Sequence, residues 1–378
     1  MKILIRTFSE KPGSSINNLC TIFIHHACKN GAEVTLILPG FVPADCPEMF
    51  KFPKNYKIKI INFKRNWHYF LDKFCYKLFN KTIDQYLEER FIRNSIFDYI
   101  LMNEPSPCYC FVFSYWEKFL KLIKIPYGFL IQVNVDNGIF FNIAKDKIDI
   151  LKKCHLISFV SIKNKESLQC QIGFDFPNYL ILNNPCSFSN RSKICRKYSG
   201  KCKFLMVGRL AVNVKGQDIV LKILGNLKWA TRDWELIIAG DGPDRDYLCR
   251  LSKYLGLESR VMFIGHVNNI IEIYSRSNIF LMPSYAEGKP LALTEALVCG
   301  LPSVATDVGG NAELIDDGLN GFLASAPSVP LFEEAMEKLF INLKSWSIYS
   351  DSAHEKGLNV IDSNGPLLLW NKIVKIHS

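Results

Sequence analysis

The sequence predicts an α/β protein built from two doubly wound domains in tandem, and three observations carry that reading. Short apolar runs of strand length alternate with helix-period segments almost from end to end, the pattern of parallel sheets covered by helices on both faces. The alternation breaks once, over 186–200, a polar and basic stretch without periodicity that reads as an interdomain linker. With 378 residues, 48% of them hydrophobic, the chain has the material for two ordinary cores. The first domain is set at 1–187 and the second at 201–364, with 365–378 crossing back onto the first.

In chain order, Ile3–Ile5 reads as the first strand, followed by a Gly/Ser loop at Pro12-Gly13-Ser14-Ser15, a helix over Ile16–Cys28 and a strand over Glu33–Leu38. Further strands are expected at Tyr99–Met102, Gly128–Val133, Leu156–Val160 and Tyr179–Leu182. In the second series, strands Lys203–Val207, Trp234–Ala239, Val261–Ile264 and Ile279–Met282 alternate with helices over Gln217–Leu227, Asp244–Leu255 and Asn268–Ser275. A helix opening near Pro290, a strand at Pro302–Ala305 and a largely helical stretch after Gly318 complete the chain. No run of about 20 apolar residues is present. The opening Met1-Lys-Ile-Leu-Ile-Arg-Thr-Phe is a strand rather than a signal peptide, being short and interrupted by Arg6. A cytoplasmic protein is expected, peripheral at most on the inner face of the cell membrane. The 13 cysteines are scattered without a Cys-x-x-Cys pair, so free thiols are expected rather than disulfides or zinc.

The net charge of +10 is unevenly placed. Residues 1–200 carry 28 Lys and Arg against 16 Asp and Glu, and the densest part, 51–97, interleaves 11 basic side chains with aromatics such as Trp67, Tyr69 and Phe70. Two readings stand side by side there: contact with an anionic membrane surface, or a solvated helix with its aromatics turned into the core. No recognition motif for nucleic acid accompanies the charge.

The most informative segment is Pro283–Pro302. It sets Glu287 and Glu295 on either side of a helix start, with Pro290 expected at the first helical position and Gly300 and Pro302 ending the helix. Glu287 then sits in the preceding loop and Glu295 roughly 7 Å further along the axis. The amides of Gly288, Lys289, Leu291 and Ala292 lie between them, and such a helix end attracts phosphate. Two carboxylates able to grip hydroxyls beside an anion site describe a pocket for a nucleotide-linked sugar.

Gly208-Arg-Leu-Ala-Val-Asn-Val-Lys-Gly216 follows the first strand of the second domain and offers Arg209 and Lys215 from one loop, a pair suited to a diphosphate. Other turns at strand ends are candidates. The backbone at His266-Val267 is placed to meet a base, with His266 a substrate contact or a structural histidine. Asp241 is expected to cap the helix after it. Gly309 and Gly310 would let backbone approach a ligand, and Gly13 marks a loop suited to a phosphate or acceptor.

Together these residues resemble the retaining glycosyltransferases of family 4, which have the GT-B fold: two Rossmann-like domains facing each other across a cleft. The match is clearest from Phe204 to Ala324. The paired-glutamate element corresponds to Glu287–Glu295 with Gly288 and Pro290, and the Gly-Arg-Leu…Lys-Gly element to Gly208, Arg209, Leu210, Lys215 and Gly216. The loop between Arg209 and Lys215 is one residue longer than the commonest form. The resemblance implies that Arg209 and Lys215 bind the donor diphosphate, that Glu287 contacts the transferred sugar near its reacting carbon, and that Glu295 holds the ribose. It also implies that the amides of Gly288 and Lys289, with Pro290 and Leu291 beside them, line the donor site. No cofactor and no bound metal are expected. The implied partners are a nucleotide-diphosphate sugar and a glycan or lipid-linked acceptor of cell-surface polysaccharide or lipopolysaccharide synthesis. One departure is visible. Family members often carry a histidine after a first-domain strand; 128–138 has none, and Gln132, Asn134 or Asp136 is expected in its place. Two other functions compete: a nucleotide-sugar epimerase of the same fold, which needs no acceptor, and a non-catalytic glycan-binding partner.

Overall fold

The computed structural model describes residues 1–7, 15–38, 53, 55–62, 97–104, 125–131, 145–184, 186, 193–194, 198, 200–267, 269–361 and 364–377. Gly13, Gln132, Asn134, Asp136 and most of the basic aromatic segment lie outside them. The chain divides into two compact units, Met1–Leu182 with Ser363–Ser378, and Asn183–Asp362.

Unit 1 is a parallel sheet of β1 (Lys2–Thr7), β2 (Glu33–Leu38), β3 (Ile58–Asn62), β4 (Tyr99–Glu104), β5 (Tyr127–Ile131), β6 (Leu156–Phe159) and β7 (Tyr179–Ile181), in the order β3-β2-β1-β4-β5-β6-β7. Its inner strands β5 and β6 are buried on both faces, as parallel strands are when helices cover them. One face packs against α1 (Ser15–Lys29) and the C-terminal helix Gly365–His377, where Phe23 and Ile24 meet Leu369 and Ile373. The other face, with Phe129, Ile157 and Phe159, packs near α2 (Lys145–Lys153) and α3 (Ile162–Ile172). The start of α3 is fixed locally: Ser161 is extended and its hydroxyl accepts from the amide of Asn164 at 3.1 Å. Strand β3 was not anticipated, because its Lys59 interrupts a run of only five residues.

Unit 2 holds β8 (Cys202–Val207), β9 (Trp234–Ala239), β10 (Val261–Gly265), β11 (Ile279–Met282), β12 (Ser303–Thr306) and β13 (Gly321–Ala324), all parallel in the order β10-β9-β8-β11-β12-β13. The helices are α4 (Val212–Lys215), α5 (Gln217–Leu224), α6 (Leu227–Ala230), α7 (Arg245–Tyr254), α8 (Ile270–Arg276), α9 (Leu291–Val298), α10 (Asn311–Leu314), α11 (Val329–Ile341) and α12 (Trp346–Val360). Phe204, Trp229, Trp234 and Phe332 fill one side of the sheet and Phe280, Leu293 and Leu297 the other. Burying each such side chain contributes about 1.5–3 kcal/mol.

Three expectations are corrected. The helix read over Gln217–Leu227 stops at Leu224, because Gly225 takes the C-cap. The stretch after Gly318 contains β13 before it turns helical; four residues, Gly-Phe-Leu-Ala, are too few to show a period. Pro290 is the N-cap of α9 rather than its first helical residue: its ψ of 127° is extended, and its carbonyl accepts the first helical bond from Thr294.

In both sheets the chain begins in the middle and winds outward in two directions. In unit 2 the reversal lies between β8 and β11, and a crevice opens at the carboxyl ends of the two strands at such a point. The loops that leave there are Gly208–Gly216 and Pro283–Pro290.

Helix α9 is held from behind by α12, where Gly357 allows the close approach: a β-carbon there would lie 2.4 Å from the amide nitrogen of Val298. Gly357→Ala is therefore expected to lower stability by about 1–3 kcal/mol, read from urea unfolding followed by circular dichroism. An unchanged midpoint would show that α12 can slide away from α9 at no cost.

Candidate functional site

Two loops are bound together at the reversal point of unit 2. The first leaves β8 at Gly208, whose amide donates to the carbonyl of Ala239 at 3.0 Å, while Leu210 donates to Asp241 at 3.0 Å. The neighbouring turn is equally tight: a β-carbon on Gly240, at φ 135°, would sit 1.9 Å from the carbonyl of Gly208. Gln217 then reaches back, its Nε2 donating to the carbonyl of Arg209 at 2.8 Å. The second loop is pinned to the first by the amide of Tyr285, which donates to Val214 at 2.8 Å.

This frame brings Lys215 and Glu287 together, Nζ to Oε1 at 2.6 Å. The Ser284 hydroxyl donates to the same oxygen at 2.7 Å, and the Thr306 hydroxyl in turn donates to the carbonyl of Ser284. Glu287 is buried, whereas the Lys215 side chain keeps 28% of its surface exposed. A carboxylate buried to that depth is costly unless it is paired and hydrogen-bonded, and here a cation and a hydroxyl donor both reach it.

The glycines after β12 serve this loop. The amide of Gly310 donates to Gly288 at 2.6 Å, and a β-carbon on Gly309, at φ 52°, would fall 1.9 Å from the carbonyl of Glu287. Their close backbone approach is thus to the glutamate loop itself. Lys289 is buried as well. Its Nζ lies 2.8 Å from Asn183 Oδ1 and 3.2 Å from Glu313 Oε2, and its carbonyl accepts from Asn184 Nδ2 at 2.9 Å. Beyond this clamp begins α9. The amides of Gly288, Lys289, Leu291 and Ala292 have no hydrogen-bond partner among the described residues. They form a donor set at the positive end of the helix.

Glu295 lies further along α9, buried, with the Tyr274 hydroxyl 3.2 Å from its Oε2. Burial, with the Glu295 carboxylate beside it, pushes the Tyr274 phenol well above its ordinary range, so it stays a donor at neutral pH. Arg209 is exposed at the rim, and its guanidinium has no partner among the described residues. His266 is exposed and Val267 half-buried at the end of β10. Asp241 does not cap the next helix. Its carboxylate turns back to the amide of Gly242 at 2.8 Å, and Asp244 holds the N-cap position while its carboxylate takes the amide of Val212. The described cysteines carry free thiols, and burial pushes that of Cys20 up to about 12.

Sequence reasoning missed Ser284, Gln217, Tyr274 and the Asn183–Asn184 pair. Ser284 stands three residues before Glu287 and was open to a local reading. Tyr274 shares helical spacing with Ile270 and Ile271 and reads as core. Asn183 and Asn184 reach Lys289 across more than a hundred residues, which no local pattern signals.

Replacing Lys215 by Met leaves Glu287 buried beside a single neutral donor. The variant is expected to lose about 1–3 kcal/mol of stability, below the range for fully buried pairs because Lys215 is partly solvated. Glu287→Gln in the same chain should recover part of the loss, and a double-mutant cycle by urea unfolding measures the coupling. A coupling near zero would show the pair to be incidental.

Residues 188–354 match the family profile described as "Glycosyl transferases group 1". An uncharacterized glycosyltransferase of Haemophilus influenzae is 31% identical over 195 residues, 51% of this chain and 54% of that protein. The lipopolysaccharide 1,6-galactosyltransferase of Salmonella typhimurium is 33% identical over 173 residues, 44% of this chain and 47% of that protein. The chain thus spans about half the length, or less, of the curated relatives it matches. Among solved structures, the lipopolysaccharide outer core galactosyltransferase WaaB superposes with a TM-score of 0.72 at 19% identity, over 99% of both chains. Anabaena HepE in complex with UDP-glucose superposes with a TM-score of 0.70 at 18% identity, over 100% of this chain and 99% of that one. The segment 188–354 therefore belongs to the group 1 glycosyl transferases, and the chain has the GT-B fold.

Proposed function

We propose that this protein is a retaining glycosyltransferase of the family 4 type, moving a hexose from a nucleotide-diphosphate sugar to a glycan or lipid-linked acceptor in the synthesis of cell-surface polysaccharide or lipopolysaccharide. The observation that carries this reading is the contact between Lys215 and Glu287 at 2.6 Å beside the amides that open α9, which have no partner among the described residues. It unites a cation, a carboxylate and an anion-binding helix end at the carboxyl ends of β8 and β11. The Salmonella and Campylobacter relatives, the latter named for transfer onto an undecaprenol-linked glycan, support the class of acceptor.

In this reading the sugar–phosphate bond breaks with oxocarbenium character, and negative charge grows on the leaving diphosphate. Lys215, Arg209 and the amides of Gly288 and Lys289 are the groups that meet that charge, and because they are held in advance they need little reorganisation. Glu287 accepts from the sugar hydroxyls near the reacting carbon. Glu295 accepts from the ribose, with the backbone at His266-Val267 beside the base and Pro290 and Leu291 lining the site. The acceptor hydroxyl attacks from the face the diphosphate leaves, and the departing phosphate takes its proton. Outside the described residues, Gly13 is assigned to a phosphate or the acceptor, and Gln132, Asn134 or Asp136 to the place of the family histidine near the reacting sugar. The basic first half of the sequence suits an anionic or membrane-borne acceptor; among the described residues no helix is long and apolar enough to cross a membrane.

Incubation with a panel of nucleotide sugars and undecaprenyl-linked acceptors is expected to release a nucleoside diphosphate and retain configuration at the transferred carbon. No donor binding across the panel would sink the reading, and isomerisation of the donor without acceptor would make the protein an epimerase. Lys215→Ala is expected to weaken donor binding about ten-fold or more, the worth of one charge-assisted hydrogen bond, as measured by calorimetry.

A further inference from the structure

The carboxylate of Glu295 does not stand alone. Tyr274, from α8, places its hydroxyl 3.2 Å from Glu295 Oε2 and 3.0 Å from the carbonyl of Ala292, one turn earlier on the same helix. The ring is fully buried and tilted against Phe280 at 6.2 Å between centroids, so the phenol has little freedom to turn away. The phenol thus has both the Glu295 carboxyl and the Ala292 carbonyl within hydrogen-bond reach and ties the side chain of Glu295 to the backbone of its own helix. Helix α8 also follows directly on β10 and the His266-Val267 turn. One strand–turn–helix unit therefore carries both the backbone assigned to the base and the phenol that fixes the carboxylate assigned to the ribose.

We infer that Tyr274 is a positioning residue that sets the orientation of Glu295 and thereby gives the protein its preference for ribonucleotides over their deoxy counterparts. This deepens the proposed function and rests on its assignment of Glu295 to the ribose. The physical argument is that a glutamate side chain on a helix has several rotamers, and ordering it costs entropy each time a ligand binds. A buried donor fixed to one carboxylate oxygen removes that cost beforehand, as preorganised sites require.

The test is calorimetric titration of the full chain with UDP, GDP and ADP and with their 2′-deoxy and 3′-deoxy counterparts. The wild-type protein is expected to favour the ribo form of its nucleotide by about ten-fold or more, the worth of a hydrogen bond to a charged group. Tyr274→Phe is expected to weaken the ribo form by a similar factor and to leave one deoxy form within about two-fold, so that the preference collapses. A merely structural role would weaken both forms alike, and that outcome, or a preserved preference, overturns the inference. Because the variant removes a buried hydroxyl, a second measurement uses the intact phenol: 3-fluorotyrosine at position 274, observed by fluorine NMR. Its resonance should move on binding the ribo form and stay in place with the 2′,3′-dideoxy form; equal shifts would overturn the inference. Wild-type protein that binds none of these nucleotides would sink the proposed function itself, a different result from an unaltered preference in Tyr274→Phe.

Discussion

The ion pair between Lys215 and Glu287 is the constraint on which unit 2 depends. The two residues lie 72 positions apart, on loops that leave different strands, yet the winding of the sheet makes them neighbours. Strands β8 and β11 are adjacent because the chain starts in the middle of the sheet and reverses there, and a parallel sheet sends the loops after both strands to the same rim. Every tight contact nearby maintains that meeting. Gly240 yields room for the carbonyl of Gly208, Gly309 yields room for that of Glu287, and Ser284 supplies the hydroxyl that a buried carboxylate lacks. The fold thus invests several special backbone positions in holding one charge pair at a strand edge, an expensive arrangement for stability alone.

The pair also bears on how a charged ligand would be received. A lysine bonded to a buried glutamate is held in place without being spent, since an ammonium has three donors and this one is partly solvated. An anion approaching from the solvent side finds the remaining N–H groups already oriented. Arg209 follows a different design. Among the described residues only its carbonyl is fixed, by Gln217, so the backbone is anchored while the guanidinium remains at the rim. One cation is preset and the other is left to adjust.

The architecture was legible because parallel strands in this chain are continuous apolar runs, such as Phe-Leu-Met-Val in β8 and Ile-Phe-Leu-Met in β11. The elements missed were those without a period: β13 with four residues, and β3 interrupted by a lysine. Lys215 and Glu287 were legible as members of local motifs, but their contact was not, and neither was the role of Gly309 and Gly310. Those glycines announce that some backbone comes close; the sequence does not say whether it belongs to a ligand or to the neighbouring loop, and here it belongs to Glu287 and Gly288. Asp241 failed for a related reason. Asp241 and Asp244 both precede α7, and the turn through Gly242 and Pro243 decides which one reaches the N-cap.

Lys289 shows how far such long-range constraint extends. A buried lysine is tolerated only with its charge met, and here Asn183, 106 residues before it, and Glu313, 24 residues after it, meet it. Asn184 adds a bond to the carbonyl of the same residue. The peptide between Gly288 and Lys289 is consequently held at the side chain of Lys289, at the carbonyl of Lys289 and, through Gly310, at the carbonyl of Gly288. Three restraints on two residues at the mouth of a helix fix the direction of amides that have no partner among the described residues. Preorganised amides of this kind gain their value only when something anionic occupies the space before them. The cost of building the clamp is intelligible if the helix end is a binding surface.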